Sequence, residues 1–295
     1  MDVIGEAMAR ARGRGARVIF AESEEPRVAA AVTRLAGEGL AIPVIVPVPP
    51  PTEVEIAAVR ALRPDMPAPR AARMLARPLF RAGAMLAAGQ ADAMVAGATV
   101  PTRRVIEAAG MTVGPAPGVG LVSSAFLMCL PDGRALVFAD CALNVAPDAA
   151  GLADIARTSA RTATALLGQA RVAMLSFSTG ASGSGASVDV VRAAAEALRT
   201  EGCDVTGPVQ ADAALNPAIA ALKGLPGGGG ANVLVFPSLD AGNIGYKLVQ
   251  ELAGAQAVGP LLQGFARPVC DLSRGASVDD IVAATVLTLA LGGVT

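Results

Sequence analysis

A chain of 295 residues is long enough for two ordinary domains, and its 53% hydrophobic and 17% charged residues exclude a disordered polymer. A net charge of −1 exerts no general pull on nucleic acid or an anionic membrane, so any anion chemistry is local, in a pocket rather than on a face. The absence of histidine removes the imidazole base, the Ser-His-Asp triad and His-based metal sites, which leaves proton transfer to a carboxylate, a lysine, Tyr246 or a thiol.

The first residues, with acidic Asp2 and Glu6 and no apolar core segment, do not read as a secretory signal. No apolar run reaches the ~18 residues of a membrane span. Cys129, Cys141, Cys203 and Cys270 are scattered singly, without CxxC spacing, and read as reduced, mostly buried thiols of a cytoplasmic protein.

In chain order, RVIFAE (residues 17–22) is a β-branched strand, and residues 24–40 carry Val28, Ala31, Val32 and Leu35 on one helical face. Residues 44–46 give a second strand, which the run Pro47 to Pro51 breaks into a loop. Residues 52–89 read as helices interrupted by Pro64, Pro67, Pro69 and Pro78, and 93–96 as a strand ending at Gly97, with a helix to follow. Strand signals at 120–129, 134–139, 171–177, 232–236 and 258–262 alternate with helical stretches at 149–167, 188–200 and 246–253. Continuous apolar strands alternating with helices predict an α/β fold with a parallel or mixed, doubly wound sheet, whose ligands bind beyond the carboxyl ends of strands. The glycine-rich run from Pro226 to Gly230 lacks a following Lys-Ser or Lys-Thr and reads as a plain loop, not a P-loop.

Three segments carry candidate chemistry, each with a plainer structural meaning beside it. Ser178, Thr179 and the Gly/Ser run through Gly185 follow a strand and precede a helix, where exposed amides cradle a phosphate or simply form a βα loop. Asn243 and Lys247, bracketed by Gly242 and Gly245, are either site residues or a helix entry with a solvated lysine. Ser273 and Arg274 sit between a strand near Pro268 and the apolar helix 281–291. An arginine there suits a phosphoryl group and a serine hydroxyl suits a developing oxyanion. Ser277 and Asp280 form a Ser-x-x-Asp capping box, which explains Asp280 structurally without any chemistry.

The strings VFADCALNVAPD (137–148), AMLSFST (173–179), VFPSLDAGNIGYK (235–247) and GPLLQGFARPVCDLSRG (259–275) resemble the segments that mark phosphate acetyltransferases, with looser matches at AESEEPRV (21–28) and ADAMVAGA (91–98). The likeness runs in order from about Arg17 to the C-terminus. It implies two doubly wound α/β domains of isocitrate/isopropylmalate dehydrogenase-like type with an interdomain cleft, the first domain spanning 1–125 plus 266–295 and the second 126–265. It also implies transfer of acetyl, or another small acyl group, between acyl phosphate and coenzyme A by a cytoplasmic homodimer. Coenzyme A would be a substrate, with no metal and no other cofactor.

Carried over by motif, the resemblance makes Asp280 the general base that draws the thiol proton. Ser273 would stabilise the oxyanion or departing phosphate, and Arg274 would hold substrate phosphate or coenzyme A. Ser123, Ser178, Thr179, Asn243, Tyr246, Lys247 and Arg60 would bind substrate, with Arg63 a competitor for the place of Arg60. The segment GATVPTRRVIEAAG (97–110) departs from the family pattern, because Glu107 falls where a phosphate-site arginine is expected. That departure motivates the alternative of a non-catalytic or impaired paralogue that binds coenzyme A or acyl phosphate. Arg104 and Glu107, three residues apart, also read as a surface ion pair. Gly180 in place of an expected lysine, and TGPVQAD (206–212) in place of an acidic-aromatic pattern, are further departures.

Overall fold

The computed structural model describes residues 2–48, 50–225 and 228–292, so position 49 of the proline run and the first two residues of the glycine-rich run at 226–230 lie outside the described residues. The chain divides into two units, one made of residues 2–119 with the chain from 259 onward, the other of 120–258. The first opens with α1 (Val3–Ala11), an element the sequence pattern did not announce, capped by the Asp2 carboxylate, which accepts from the Gly5 amide at 2.8 Å. Strand β1 (Arg17–Phe20) leads to α2 (Pro26–Gly37), whose N-cap Glu25 and first-turn Pro26 set its start, and then to β2 (Ile42–Ile45).

The proline-punctuated stretch resolves into α3 (Glu53–Leu62), α4 (Ala68–Leu75) and α5 (Pro78–Ala87), with proline in the first turn of the last two, where its missing N–H costs nothing. A buried ion pair joins them: Arg81 Nε donates to Glu55 at 3.1 Å, while its other nitrogens donate to the carbonyls of Pro47 and Pro50. Each of the three guanidinium nitrogens thus donates to an acceptor, the kind of satisfaction under which such a buried pair is tolerated. Strand β3 (Ala93–Ala96) and α6 (Thr102–Thr112) complete this part.

The second unit runs β4 (Ser123–Cys129), β5 (Ala135–Ala139), α7 (Ala149–Leu167), β6 (Val172–Leu175), α8 (Ala186–Thr200), β7 (Val205–Val209), α9 (Ala211–Leu215), α10 (Pro217–Leu222), β8 (Val233–Val235) and α11 (Leu239–Ala253). Helix α7 has the predicted bounds and ends at Gly168 with φ +78°, a left-handed cap that glycine adopts without strain. Helix α11 starts seven residues before its predicted beginning, because Ser238 caps it by accepting from the Ala241 amide. Its strands lie in the order β4-β5-β8-β6-β7, antiparallel only between β4 and β5.

Strand β9 (Gln256–Gln263) then feeds β10 (Val269–Asp271) and α12 (Val278–Leu291), and the first unit reads β2-β1-β3-β10-β9, parallel except for the last pair. Residues 281–288 of α12 are all buried, so this helix is apolar all round and packs against α1 and α2 as a core element. Both units are mixed α/β, as the alternation predicts. Among the described residues no helix is long and apolar enough to cross a membrane.

Candidate active site

Strand β10 delivers Ser273 and Arg274 to the surface. Leu272 donates its amide to Ala96 O at 2.7 Å, which holds the chain beside β3 one residue past the strand, and the Ser273 carbonyl accepts from Ala276 at 2.9 Å to close a turn. Both side chains of interest are exposed at this turn, and Gly275 N donates to Ser273 Oγ at 3.3 Å. Asp280 follows in the first turn of α12. The capping box is complete: Asp280 N donates to Ser277 Oγ, while Asp280 Oδ2 accepts from Ser277 N at 3.0 Å and Ser277 Oγ at 2.8 Å. The structural reading of Asp280 therefore holds, and its half-buried carboxylate stands seven residues after Ser273 at a helix start that favours negative charge.

Two further carboxylates lie at the same strand ends, and sequence reasoning had given neither a role. Glu22, just beyond β1, accepts from the amides of Gly97, Ala98, Thr99 and Val100 at 2.6, 2.9, 2.7 and 3.1 Å and from the Thr99 hydroxyl. The loop after β3 is thus a nest of amides closed on an internal anion. Asp271, the last residue of β10, is fully buried; its Oδ2 accepts from Thr102 Oγ1 at 2.5 Å. Burial pushes the Asp271 carboxyl up to about 7; the Thr102 hydrogen bond opposes this and the Glu22 charge adds to it.

Arg27 of α2 fastens these segments together. Its Nη1 donates to the carbonyls of Arg274 and Ala276, both at 2.8 Å, and its Nη2 to Ala98 O at 3.4 Å. The signal for Glu22 and Arg27 was present in AESEEPRV, and for Asp271 in a charged residue ending an apolar strand run, but their partners lie about seventy to 250 residues away in sequence.

The same unit holds Arg60 and Arg63 near the end of α3, where Arg60 Nε donates to Met66 O at 3.1 Å and Arg63 to Gly110 O at 2.9 Å. On α6, Arg104 donates to Glu107 at 2.8 Å with both side chains about half exposed, and Arg103 is exposed beside them.

The other predicted residues belong to the second unit. Ser123 is buried at the start of β4, its hydroxyl 3.3 Å from Thr158 Oγ1 of α7. Ser178 and Thr179 are buried: Ser178 Oγ accepts from Gly183 N within its loop at 2.8 Å, and Thr179 Oγ1 accepts from Gln210 N, just past β7, at 3.1 Å. Asn243 lies within α11 rather than at its entry and donates to Cys141 O at 3.0 Å. It thereby touches a second tied loop, in which the buried Asp140 accepts from Ser124 and from the amides of Ala142, Leu143 and Asn144. Tyr246 stacks on Phe126 with centroids 4.1 Å apart, and exposed Lys247 has its Nζ 5.2 Å from the Tyr246 ring centre. Burial raises the thiols of Cys141, well above the ordinary range, and of Cys270, to about 12, which makes both poor nucleophiles. Among the described residues no three His, Cys, Asp or Glu side chains are grouped to hold a metal ion.

Comparison with known proteins points one way. A family model described as phosphate acetyl/butaryl transferase matches residues 62–289. A phosphate acetyltransferase from Paracoccus denitrificans is 41% identical over 314 residues, covering 98% of this chain and 98% of its own. Among solved structures, a phosphotransacetylase from Streptococcus pyogenes matches with a TM-score of 0.93 at 34% identity, covering 99% of this chain and 98% of that one. A putative 4-hydroxythreonine-4-phosphate dehydrogenase from Salmonella typhimurium, 14% identical with a TM-score of 0.54 over 94% of this chain and 99% of its own, shares the fold alone.

Proposed function

Because the chain belongs to the phosphate acetyl/butaryl transferase family, a family of transferases, we propose that it moves an acetyl or other small acyl group between acyl phosphate and coenzyme A. The observation that carries this reading is the turn after β10, which presents Ser273 and Arg274 to solvent immediately before the helix start that holds Asp280. Asp280 takes the proton from the coenzyme A thiol, and the thiolate attacks the carbonyl carbon of the acyl phosphate. The tetrahedral oxyanion that forms is stabilised by the Ser273 hydroxyl. The carbon–oxygen bond to phosphate then breaks, and phosphate departs against the Arg274 guanidinium, whose planar fork suits it.

Ser123, Ser178, Thr179, Asn243, Tyr246, Lys247 and Arg60 are proposed as substrate contacts, the exposed cations of Lys247 and Arg60 for the phosphates of coenzyme A. The substrates are small molecules, and the proposed setting is the cytoplasm, consistent with four free cysteines. A homodimer is the proposed assembly.

Steady-state formation of acyl-coenzyme A tests the assignment. Asp280→Ala is expected to lower kcat by about a hundredfold or more and Arg274→Ala to cost a similar factor in kcat/KM for acyl phosphate. Full activity in both variants would reject these roles.

A further inference from the structure

Asp271 ends β10 with no accessible surface, and its Oδ1 is the one buried side-chain oxygen or nitrogen without a hydrogen-bond partner among the described residues. An orphan acceptor of this kind is costly and calls for a reason. Three segments converge on it. Thr102 of α6 donates to Oδ2 at 2.5 Å. Gly97, at φ +106°, packs so closely that a Cβ there would run into Oδ1 and into the Leu272 backbone. Leu272, next in the chain, is bonded to Ala96 O, so the carboxyl sits where the strand leading to Ser273 and Arg274 is stitched to the strand leading to the Glu22-bound loop.

The charges around it offer no compensation. Glu22, beyond β1, faces it with the same sign, and its chain neighbour Cys270 is a thiol that burial keeps protonated. Arg27 of α2 spends its donors on Glu25 and on the carbonyls of Ala98, Arg274 and Ala276. On α6, Arg103, Arg104 and Glu107 are exposed; on α12, Asp279 pairs with Arg34 and Asp280 with Ser277. Asp271 has no ion pair among the described residues.

We propose that Asp271 is a positioning residue for the transfer reaction: in neutral form it holds the Gly97–Thr102 segment against the turn carrying Ser273 and Arg274, and its ionisation loosens that hold. This rests on the reading of Ser273 and Arg274 given above. A carboxylate here leaves a charge on the orphan Oδ1 and repels Glu22, the group on which four loop amides depend. Burial places the change in the neutral range, near pH 7.

The test measures kcat and KM for acetyl phosphate and coenzyme A from about pH 6 to about pH 9. Asp271→Asn, neutral at every pH and able to accept from Thr102, is expected to keep wild-type kcat at the acid end and to exceed wild type by about fivefold at the alkaline end, with the KM for coenzyme A unchanged. Asp271→Leu, neutral but without an acceptor for Thr102, is expected to lose about tenfold in kcat at every pH.

Thermal melting adds a readout independent of turnover. A buried acid raised from 3.8 to about 7 stabilises the native state below its unfolded value, and that contribution is lost as pH rises through the folded value, so wild type should fall in melting temperature relative to Asp271→Asn across that window. If Asp271→Leu does not fold, Asp271→Asn and the melting series decide. An Asp271→Asn profile that parallels wild type, or an Asp271→Leu enzyme as active as wild type, overturns this inference alone. Wild type that turns over at no pH overturns the proposed function and this inference with it.

Discussion

At the scale of single residues, the sharpest question is Glu107, which stands where the family resemblance places a cation. It is paired at i,i+3 with Arg104, and both side chains are about half exposed. Such pairs contribute a few tenths of a kcal/mol and are screened by solvent. The surface ion pair that the spacing suggests is thus present. Glu107→Arg is therefore expected to change kcat/KM by less than about threefold, in an assay of acyl-coenzyme A formation. A gain of tenfold or more would instead establish the impaired-paralogue reading, with the reversed charge restoring an attraction that the glutamate denies. Residue-level reading of the sequence fared best where the partner is local. Ser277 and Asp280 were legible because a capping box closes over three residues. Glu22 was not, because its acceptor role depends on amides at 97–100, brought to it only when β1 and β3 pair.

At the scale of elements, the start of α12 joins stability to chemistry. Ser277 both caps the helix and donates twice to Asp280, so one hydroxyl satisfies an orphan amide and orients the proposed base. Ser277→Ala is expected to cost about 1 kcal/mol, read as a lower denaturation midpoint at unchanged m-value. Ser277→Thr should recover most of it. An alanine variant as stable as wild type would mean that the cap contributes nothing net. Elements with strong periodicity or continuous apolar runs, such as α7 and β3, were placed from sequence to the residue. Strand β7 was missed because VTGPV carries a glycine and a proline, residues that read as punctuation rather than strand. Helix α11 was read too short, because its first turns carry Gly242, Gly245 and Asn243, poor helix formers that tertiary packing and the Ser238 cap override.

At the scale of the whole molecule, the exposed face of α11 bears on assembly. Ile244, Leu248 and Leu252, 56%, 52% and 81% exposed, repeat every four residues and form an apolar stripe on a helix whose Gly242 alone is buried. A stripe of this kind is a candidate face for the proposed homodimer. Leu248→Asp is accordingly expected to convert the proposed homodimer into a monomer by light scattering coupled to size exclusion, with the melting of the isolated chain little changed. A mass unaffected by the substitution would remove α11 from the interface. The α/β class was legible from alternation alone, whereas the return of the last segment to the first unit followed only from the family resemblance, since no local pattern records which earlier strands a late strand will join.

That return has a consequence for how the chain comes into being. Strand β10 lies between β3 and β9, and α12 packs on α1 and α2, so residues 2–119 lack both the strand beside β3 and a core helix until residues 259–291 are made. The pairings among β4, β5, β8, β6 and β7 lie wholly within residues 120–258, which are synthesised earlier. On the ribosome the middle of the chain is thus free to fold while the beginning waits, with the edge of β3 and the apolar faces of α1 and α2 uncovered. The segment that finally closes the first unit is the same one that carries Asp271, Ser273, Arg274 and Asp280. Completion of that unit's core and arrival of its proposed catalytic residues therefore depend on the same late segment.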